Sequence, residues 1–388
     1  MSAFTSFSGK TRVVANDNSV RNASSSEIPI ISLSAPLPDL VDQLRDACTR
    51  VGFFYIKDHR VPEEVIDDTF ECARDFFALP KDIKNEVNYK KSKILRGYEP
   101  LDEVRTDESK KPDMNEAFNW GYSPELDPTA SSADGASGKT ISDPEWILSS
   151  KKSTQKTDPK TVKSQEQSPN PMSGPNAWPS IPGLKPTLAT YYAHILTLAR
   201  KLIRLFALVL DLPSTYFDHM FATPGAMCRI LHYPPQPPTT TTTTTCTQAL
   251  GIGAHTDIEC FTVLCQRQQP ALQILTTAGE WIQAPPIEGT FVVNIGDMLS
   301  YWSNDSFVST VHRVLNVTGE ERYSIPFFMG PSYETLISPL ESCVAGDGKR
   351  HYEDILAGEY VFRRLAKSRY SHEEYEERFG KGEGVVVA

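Results

Sequence analysis

Between residues 227 and 328 the chain is a series of short apolar segments separated by turn residues, and this pattern limits the possible folds most. The segments cover residues 228–231, 261–264, 272–275, 281–282, 291–295, 310–314 and 323–328. Turn sequences at 277–279, 288–289 and 318–319 lie between them. Many short strands at nearly regular spacing are typical of a sandwich or barrel and not of a doubly wound sheet. We therefore predict a mainly β fold with flanking helices.

Helical periodicity occurs in three other parts of the chain. Apolar residues recur every three or four positions over 37–51, 62–79 and, most clearly, 188–210, which predicts amphipathic helices there. The short apolar runs 28–33 and 53–56 are typical of strands. The first hundred residues therefore predict the order strand–helix–strand–helix, and the helix over 188–210 is expected to pack against a sheet.

Composition separates ordered regions from low-complexity ones. Residues 126–178 are rich in Ser, Thr, Lys, Asp, Gln and Pro, and such a segment buries too little apolar surface to offset its ordering entropy. We predict a flexible N-terminal tail over 1–27, an N-terminal α/β region over 28–125, a low-complexity insertion over 126–178, a long helix and β core over 180–335, and a C-terminal helical tail over 336–388. The threonine run 239–245 predicts a surface loop between two strands.

Charge and cysteine content narrow the choice of partner and compartment. The 388-residue chain has a net charge of −10 and no long basic run, which argues against nucleic acid or an anionic membrane as its partner. Its apolar runs are far shorter than the roughly 20 residues of a membrane-spanning helix. The seven cysteines are scattered without a C-x-x-C pair, which favours a cytoplasmic location with reduced thiols. Because the N-terminus is rich in Ser and Asn, a mitochondrial presequence, and thus a mitochondrial location, is the alternative interpretation.

Two histidines and one carboxylate form a candidate metal site. His255 and Asp257 are two residues apart, so in an extended segment they point to the same face. His312 lies 57 residues later in another β-type segment. Two histidines and a carboxylate are a ligand set for non-haem Fe(II), and zinc hydrolases use the same types, but on an H-E-x-x-H helix that is absent here. An H-x-D pattern also arises by chance, so these residues alone leave the metal assignment open.

A candidate anion clamp follows on the next segment. Arg322 and Ser324 share one face of a strand by alternation. A guanidinium facing a mostly apolar barrel interior needs an anion, because an unpaired buried charge is costly. Arginine with a neighbouring hydroxyl suits a carboxylate, whereas a surface arginine beside a sheet serine is the plainer alternative.

The order of these motifs resembles the 2-oxoglutarate- and Fe(II)-dependent dioxygenase superfamily, in the branch of isopenicillin N synthase and the plant flavonoid and gibberellin oxygenases. The motifs that carry the resemblance are Gly-Ala-His-Thr-Asp at 253–257, Asn-Ile-Gly-Asp-Met at 294–298, Ser-Thr-Val-His-Arg-Val at 309–314 and Arg-Tyr-Ser-Ile-Pro at 322–326, with Gly-Phe-Phe-Tyr-Ile at 52–56 in the first half. The versions at 229–234 and 302–305 are most similar to fungal members that oxidise nucleobase methyl groups. The resemblance implies a double-stranded β-helix (jelly roll) core.

The resemblance also implies roles for individual residues. His255, Asp257 and His312 would bind Fe(II), and Arg322 and Ser324 would hold the distal carboxylate of 2-oxoglutarate, with O₂ as the second co-substrate. Tyr233 matches a tyrosine that assists co-substrate binding, whereas Leu231 replaces an asparagine that is frequent in the family. Glu259 replaces a small residue, and it would either tune the site or face solvent.

The expected activity is oxidation, most simply hydroxylation, of a C–H bond in a small organic metabolite, with release of succinate and CO₂. Tyr98, Phe118, Trp120 and Phe328 are the aromatic candidates for substrate contact. No obligate protein partner is evident. Three alternatives stay open: an oxidase of the isopenicillin N synthase type, an ethylene-forming enzyme, and a non-catalytic jelly-roll binding module.

Overall fold

The computed structural model describes residues 2–5, 11–14, 16–106, 111–130, 172, 174–235, 250–316, 318–344, 348–370 and 372–379. Most of the predicted insertion and the whole predicted threonine loop lie outside these residues. Of the helices described, none combines the length and the apolar character of a membrane span.

The strands and helices follow the apolar periodicities of the sequence. The strands are β1 Ser2–Thr5, β2 Thr11–Val14, β3 Asn16–Asn22, β4 Ile30–Ser32, β5 Phe53–Lys57, β6 Gly97–Glu99, β7 Glu116–Gly121, β8 Met227–Tyr233, β9 Ile252–His255, β10 Phe261–Gln266, β11 Leu272–Leu275, β12 Glu280–Gln283, β13 Phe291–Ile295, β14 His312–Val314, β15 Arg322–Met329, β16 Leu336–Ile337 and β17 Ile355–Leu356. The α-helices are α1 Leu37–Arg50, α2 Glu63–Ala78, α3 Lys81–Asn85, α4 Leu184–Val209, α5 Asp297–Trp302, α6 Glu341–Val344, α7 Ala357–Arg369 and α8 His372–Phe379. Single 3₁₀ turns occur at Tyr89–Lys91, Pro124–Leu126 and Asp218–Phe221.

Two sheets face each other and form the core. In the described part of the chain the larger sheet has eight strands in the order β4-β5-β13-β10-β15-β8-β7-β6, and the smaller has five in the order β3-β12-β11-β14-β9. Most neighbours are antiparallel, whereas β4–β5 and β12–β3 are parallel. The larger sheet joins strands of the regions 28–125 and 180–335, so these two regions share one sheet. The predicted mainly β fold with flanking helices is confirmed.

The two faces of the larger sheet have different partners, and this difference separates the candidate site residues that this sheet carries. One face packs on helices α1, α2 and α4 in a single large hydrophobic core; for example, Tyr192 of α4 makes an edge contact with Phe327 of β15. The other face, which we call the inner face, is directed toward the smaller sheet: Leu231 and Tyr233 of β8 pack with Val314 of β14.

The N-terminal region differs from the sequence expectation. We predicted a flexible tail over 1–27, but residues 16–22 form strand β3, which pairs with β12 at the edge of the smaller sheet. The sequence of this strand, Asn-Asp-Asn-Ser-Val-Arg-Asn, has no alternation of apolar and polar residues, so no sequence pattern predicts it.

Candidate active site

The predicted metal ligands lie at and just beyond one end of the paired strands β9 and β14 of the smaller sheet. His255 ends β9, His312 begins β14, and the two are direct cross-strand partners. Asp257 lies two residues past the end of β9. Nε2 of His255 and Nε2 of His312 are 3.5 and 3.6 Å from Oδ1 of Asp257, and the three donor atoms lie within 4.8 Å of one another. The structure therefore brings these three side chains together.

Hydrogen bonds set the orientation of both imidazoles. Nδ1 of His255 lies 2.8 Å from the carbonyl oxygen of Gly253, and Nδ1 of His312 lies 3.1 Å from that of Thr310. A carbonyl only accepts, so each Nδ1 carries the proton and each Nε2 keeps a free lone pair. This arrangement is the one that metal-binding histidines adopt.

The two oxygens of Asp257 have different environments. Oδ2 accepts hydrogen bonds from the Thr262 hydroxyl at 2.5 Å and the Asn294 amide at 2.7 Å, which leaves Oδ1 to face the imidazoles. Burial alone would raise the pKa of Asp257, but His312 and His255 outweigh burial and hold this pKa well below its usual value. The carboxylate is therefore ionised and preset for a cation. Two imidazoles and one carboxylate on one side of an ion leave other coordination positions open, as in non-haem Fe(II) sites.

The predicted anion clamp lies deeper, on the inner face of the larger sheet. Arg322 is 1% exposed, and its guanidinium lies 4.6 Å from the ring centroid of its cross-strand partner Tyr233. It donates only long hydrogen bonds, 3.3 Å to Ser324 and 3.5 Å to Gln266. Its Nε is buried without a hydrogen-bond partner in the described residues. A fully buried guanidinium with such weak partners fits a carboxylate of a bound co-substrate.

Comparison with known proteins decides the family. Residues 28–141 match the model described as non-haem dioxygenase in morphine synthesis N-terminal, and residues 224–331 match the 2OG-Fe(II) oxygenase superfamily. The 2-oxoglutarate-Fe(II) type oxidoreductase ppzC of Metarhizium rileyi is 34% identical, over 89% of this chain and 88% of its own length. The chain belongs to the 2-oxoglutarate- and Fe(II)-dependent oxygenase superfamily. It is therefore an oxidoreductase that uses Fe(II) and 2-oxoglutarate to oxidise a small molecule.

Other relatives and solved structures agree. Homoarginine-6-hydroxylase 2-ODD-233 of rice (Oryza sativa subsp. japonica) is 32% identical, over 85% of this chain and 89% of its own length. A full-length Neurospora crassa protein, solved in complex with α-KG and thymine, superposes with a TM-score of 0.68 at 25% identity, covering 92% of this chain and 99% of that one. The predicted jelly-roll core is confirmed.

The aromatic candidates for substrate contact fall on two different faces of the oxygenase sheet. Phe328 is on the inner face, paired with Thr262, whose hydroxyl holds Asp257. Tyr98, Phe118 and Trp120 are at most 2% exposed and belong to the helix-facing core. The structure thus places these three side chains on the helix-facing side of their own strands, β6 and β7, and away from the inner face. Alternation places Asn119, not Phe118 or Trp120, on the inner face of β7.

Glu259 is a buried group beside the oxygenase centre. It is 3% exposed, which excludes the alternative that it faces solvent. Its side chain lies against Gly330, where a Cβ would approach its Cγ to 2.9 Å. Burial, and next the charge of Asp257, raise the pKa of Glu259 to about 8.

Helix α7, in the C-terminal region, contacts the segments that carry the candidate metal ligands, a contact that the charged sequence of the tail did not indicate. Arg364 bonds Asp297 at 2.7 Å and the carbonyl oxygen of Thr256 at 3.3 Å. Asp297 also accepts hydrogen bonds from Thr256 and from Ser309. Since Thr256 lies between two of the candidate ligands, α7 supports the segment that carries them.

Proposed function

We propose that His255, Asp257 and His312 bind the Fe(II) of this oxygenase and that Arg322 and Ser324, beside Tyr233, bind the distal carboxylate of 2-oxoglutarate. The observation that carries this proposal is the placement of two groups between the sheets: three donor atoms within 4.8 Å of one another, and a buried guanidinium without a carboxylate partner among the described residues. The guanidinium lies on the same inner face as Thr262, whose hydroxyl donates to Asp257. When bound, iron with 2-oxoglutarate and O₂ supplies the oxidising power. The net reaction inserts one oxygen atom of O₂ into a C–H bond and the other into succinate, with release of CO₂.

The protein's own residues contribute positioning and exclusion of water. Thr262 and Asn294 fix the carboxylate of Asp257, and backbone carbonyls fix both imidazoles. Asp257 and His312 are each 6% exposed, and a dry, rigid site keeps the ligand geometry constant while the other coordination positions change occupants.

We propose hydroxylation of a small organic metabolite as the outcome, because relatives that the chain covers almost completely are named hydroxylases. The cysteines Cys48, Cys72, Cys228, Cys260, Cys265 and Cys343 are free, which supports our proposal of a reducing compartment such as the cytoplasm.

The test is anaerobic loading with Fe(II) and 2-oxoglutarate, followed by admission of O₂ and measurement of succinate. The wild-type enzyme is expected to give the visible absorption of an iron-bound 2-oxo acid and then slow succinate formation without substrate. His312→Ala should lose iron binding, whereas Arg322→Gln should keep iron and bind 2-oxoglutarate roughly 10- to 100-fold more weakly, as expected for a lost charged hydrogen bond. Active enzyme that forms no succinate would favour the oxidase, and loss of iron in His312→Ala with unchanged biological activity would favour the binding module.

A further inference from the structure

A second buried cluster of charged groups joins the inner face of the larger sheet to helix α7: Glu99 and Arg229 come from β6 and β8, and Arg369 comes from the end of α7. Glu99 of β6 is 1% exposed and binds two arginines. Its Oε2 accepts from Nη2 of Arg229 at 2.6 Å, and its Oε1 accepts from Nε of Arg369 at 2.8 Å and from Nη2 of the same residue. We call Glu99, Arg229 and Arg369 the arginine–glutamate cluster.

The cluster has one positive charge in excess. Burial alone would raise the pKa of Glu99, but Arg229 and Arg369 outweigh burial and hold it below its usual value, so the carboxylate is ionised. Two guanidinium groups then face one carboxylate. Glu259 is near enough to interact electrostatically with Arg229, but no hydrogen bond or ion pair joins them in the described part of the chain. A buried excess charge is costly unless a counter-ion is supplied.

The two arginines differ in how well they are satisfied. Arg369 also donates to the carbonyl oxygen of Leu365 and to the hydroxyl of Ser368. Arg229 donates only to Glu99 among the described residues, and its Nε is buried without a partner. Oδ1 of Asn119, the cross-strand partner of Arg229, is also buried without one. The same signature marks Arg322 at the proposed co-substrate site.

The position of Arg229 relates it to the reacting centre. Cys228 and Ile230 of the same strand face the helices, whereas Leu231 and Tyr233 face the smaller sheet, so Arg229 is on the inner face by alternation. The next inner-face residue along β8 is Met227, which pairs with Phe328, and Phe328 pairs in turn with Thr262 beside Asp257. At about 4.8 Å per strand spacing, β8 and β10 are ~10 Å apart, a gap that a small molecule spans.

We propose that Arg229 binds a carboxylate of the substrate, so that the enzyme oxidises a C–H bond of a small organic acid held between Arg229 and the metal site. This inference rests on the proposed function. Glu99 and Arg369 hold the guanidinium in place, Phe328 contacts the body of the substrate, and the bound carboxylate neutralises the excess charge of the cluster.

The test uses enzyme loaded anaerobically with Fe(II) and saturating 2-oxoglutarate, and it measures the change of the visible absorption band when a probe binds. The probes are phenylacetate and 3-phenylpropionate, each compared with its neutral amide of nearly the same shape. A probe that displaces 2-oxoglutarate abolishes the band, whereas a probe in the substrate pocket shifts it, so binding at Arg322 is recognised directly.

We expect at least one acid to bind the wild-type enzyme 10-fold or more tightly than its amide. Arg229→Gln should reduce this ratio of affinities to near one, with less than a twofold change in 2-oxoglutarate affinity. Arg229→Lys should keep part of the preference for the acid. The control Arg50→Gln, at an exposed position, should keep all of the preference. Glu99 keeps its ion pair with Arg369 in the Arg229 variants, and thermal melting shows whether these variants fold. If Arg229→Gln does not fold, the partial preference of Arg229→Lys for the acid tests the proposal. Equal binding of acid and amide, binding of neither, or an unchanged preference in the folded Arg229 variants would overturn the proposal. Absence of the band itself, before any probe is added, would instead contradict the proposed function.

Discussion

At the scale of single residues, the geometry of the site depends on which oxygen of Asp257 is occupied. Thr262 and Asn294 hold Oδ2 from two strands of the larger sheet, β10 and β13. Oδ1 is therefore the oxygen that faces the Nε2 atoms of both imidazoles. Hydrogen bonds of this kind around a metal ligand set both its direction and its basicity.

Removing either donor should therefore weaken metal binding without removing a ligand. For Thr262→Val and Asn294→Leu we expect roughly 10- to 100-fold weaker Fe(II) affinity, the usual effect of losing such a partner. Anaerobic titration with Fe(II) measures it. Thr190→Val, which removes a hydroxyl that donates to the carbonyl oxygen of Pro186 in the same helix, is the matched control. Equal affinities in all three variants would contradict the expectation.

The metal-site candidates were visible in the sequence, but the residues that orient them were not. His255 and Asp257 are two apart in one extended segment, and their shared face follows from that spacing alone. The contacts of Thr262 and Asn294 depend on the register between separate strands. The face on which Phe118 and Trp120 lie could not be predicted for a related reason: all six residues of β7 are buried, so hydrophobicity does not indicate which side of the strand faces the smaller sheet.

At the scale of elements, helix α7 supports the segment of the candidate metal ligands through one arginine. Arg364 is mostly buried and pairs with the buried Asp297, whereas its neighbour Arg363 pairs with Glu359 at the surface. Breaking a buried pair leaves an uncompensated charge, but breaking an exposed pair costs little.

Arg364→Met should therefore lower the free energy of unfolding by roughly 3–5 kcal/mol, and Arg363→Met by less than about 1 kcal/mol. Urea unfolding of both variants provides the measurement, with the same helix as internal control. Similar losses in the two variants would mean that the contact of α7 with Asp297 does not stabilise the fold.

A second ion pair anchors the segment at the start of the predicted insertion to the long helix α4. Both carboxylate oxygens of Asp127 accept from Arg200 at 2.7 Å. Burial alone would raise the pKa of Asp127, but the hydrogen bonds of Arg200 and Thr129 outweigh it and lower this pKa from 3.8 to about 2. A lowered pKa in the folded state contributes stability above the unfolded value, and this contribution is lost as the pH falls toward the folded value.

Asp127→Asn should thus lower the free energy of unfolding by about 2 kcal/mol at pH 7. The difference in the free energy of unfolding between this variant and the wild type should become smaller as the pH falls from about 4 toward 2. Urea unfolding across this range checks it, and the exposed Asp46→Asn should show a much smaller difference throughout. A difference independent of pH would exclude the ionised carboxylate as its cause.

Elements with strong periodicity were predicted well, and those without it were not. The helices at 37–51, 62–79 and 188–210 and the strands at 272–275 and 291–295 are confirmed within a few residues. Strand β3 is polar and depends on the edge of β12 for its pairing, a tertiary effect that no local pattern reports. The contact of α7 with the segment of the candidate metal ligands depends on how the C-terminal region packs against the sheets, and composition does not predict this packing.

At the scale of the whole molecule, the proposed ligands connect the two sheets. The smaller sheet carries His255 and His312, whereas the larger one carries Arg322 and Ser324. A metal ion together with 2-oxoglutarate would therefore bridge both layers of the jelly roll in the native state only.

Such binding stabilises the native state by mass action. At a concentration 100 times the dissociation constant, a ligand adds about 2.7 kcal/mol to the free energy of unfolding. In anaerobic denaturant unfolding of the wild-type enzyme, Fe(II) and 2-oxoglutarate should each increase the free energy of unfolding. His312→Ala should lose the increment of the metal, and an unchanged increment in this variant would contradict its role as a ligand.

The direct pairing of His255 with His312 also has a consequence for biogenesis. These residues are 57 positions apart in sequence and meet as partners on one rung of the smaller sheet. Contacts of long sequence separation form late, because the intervening loop must first be closed. A chain that has not yet paired β9 with β14 lacks the two proposed iron ligands side by side. We therefore expect the ferrous ion to bind only after the polypeptide has reached its native topology.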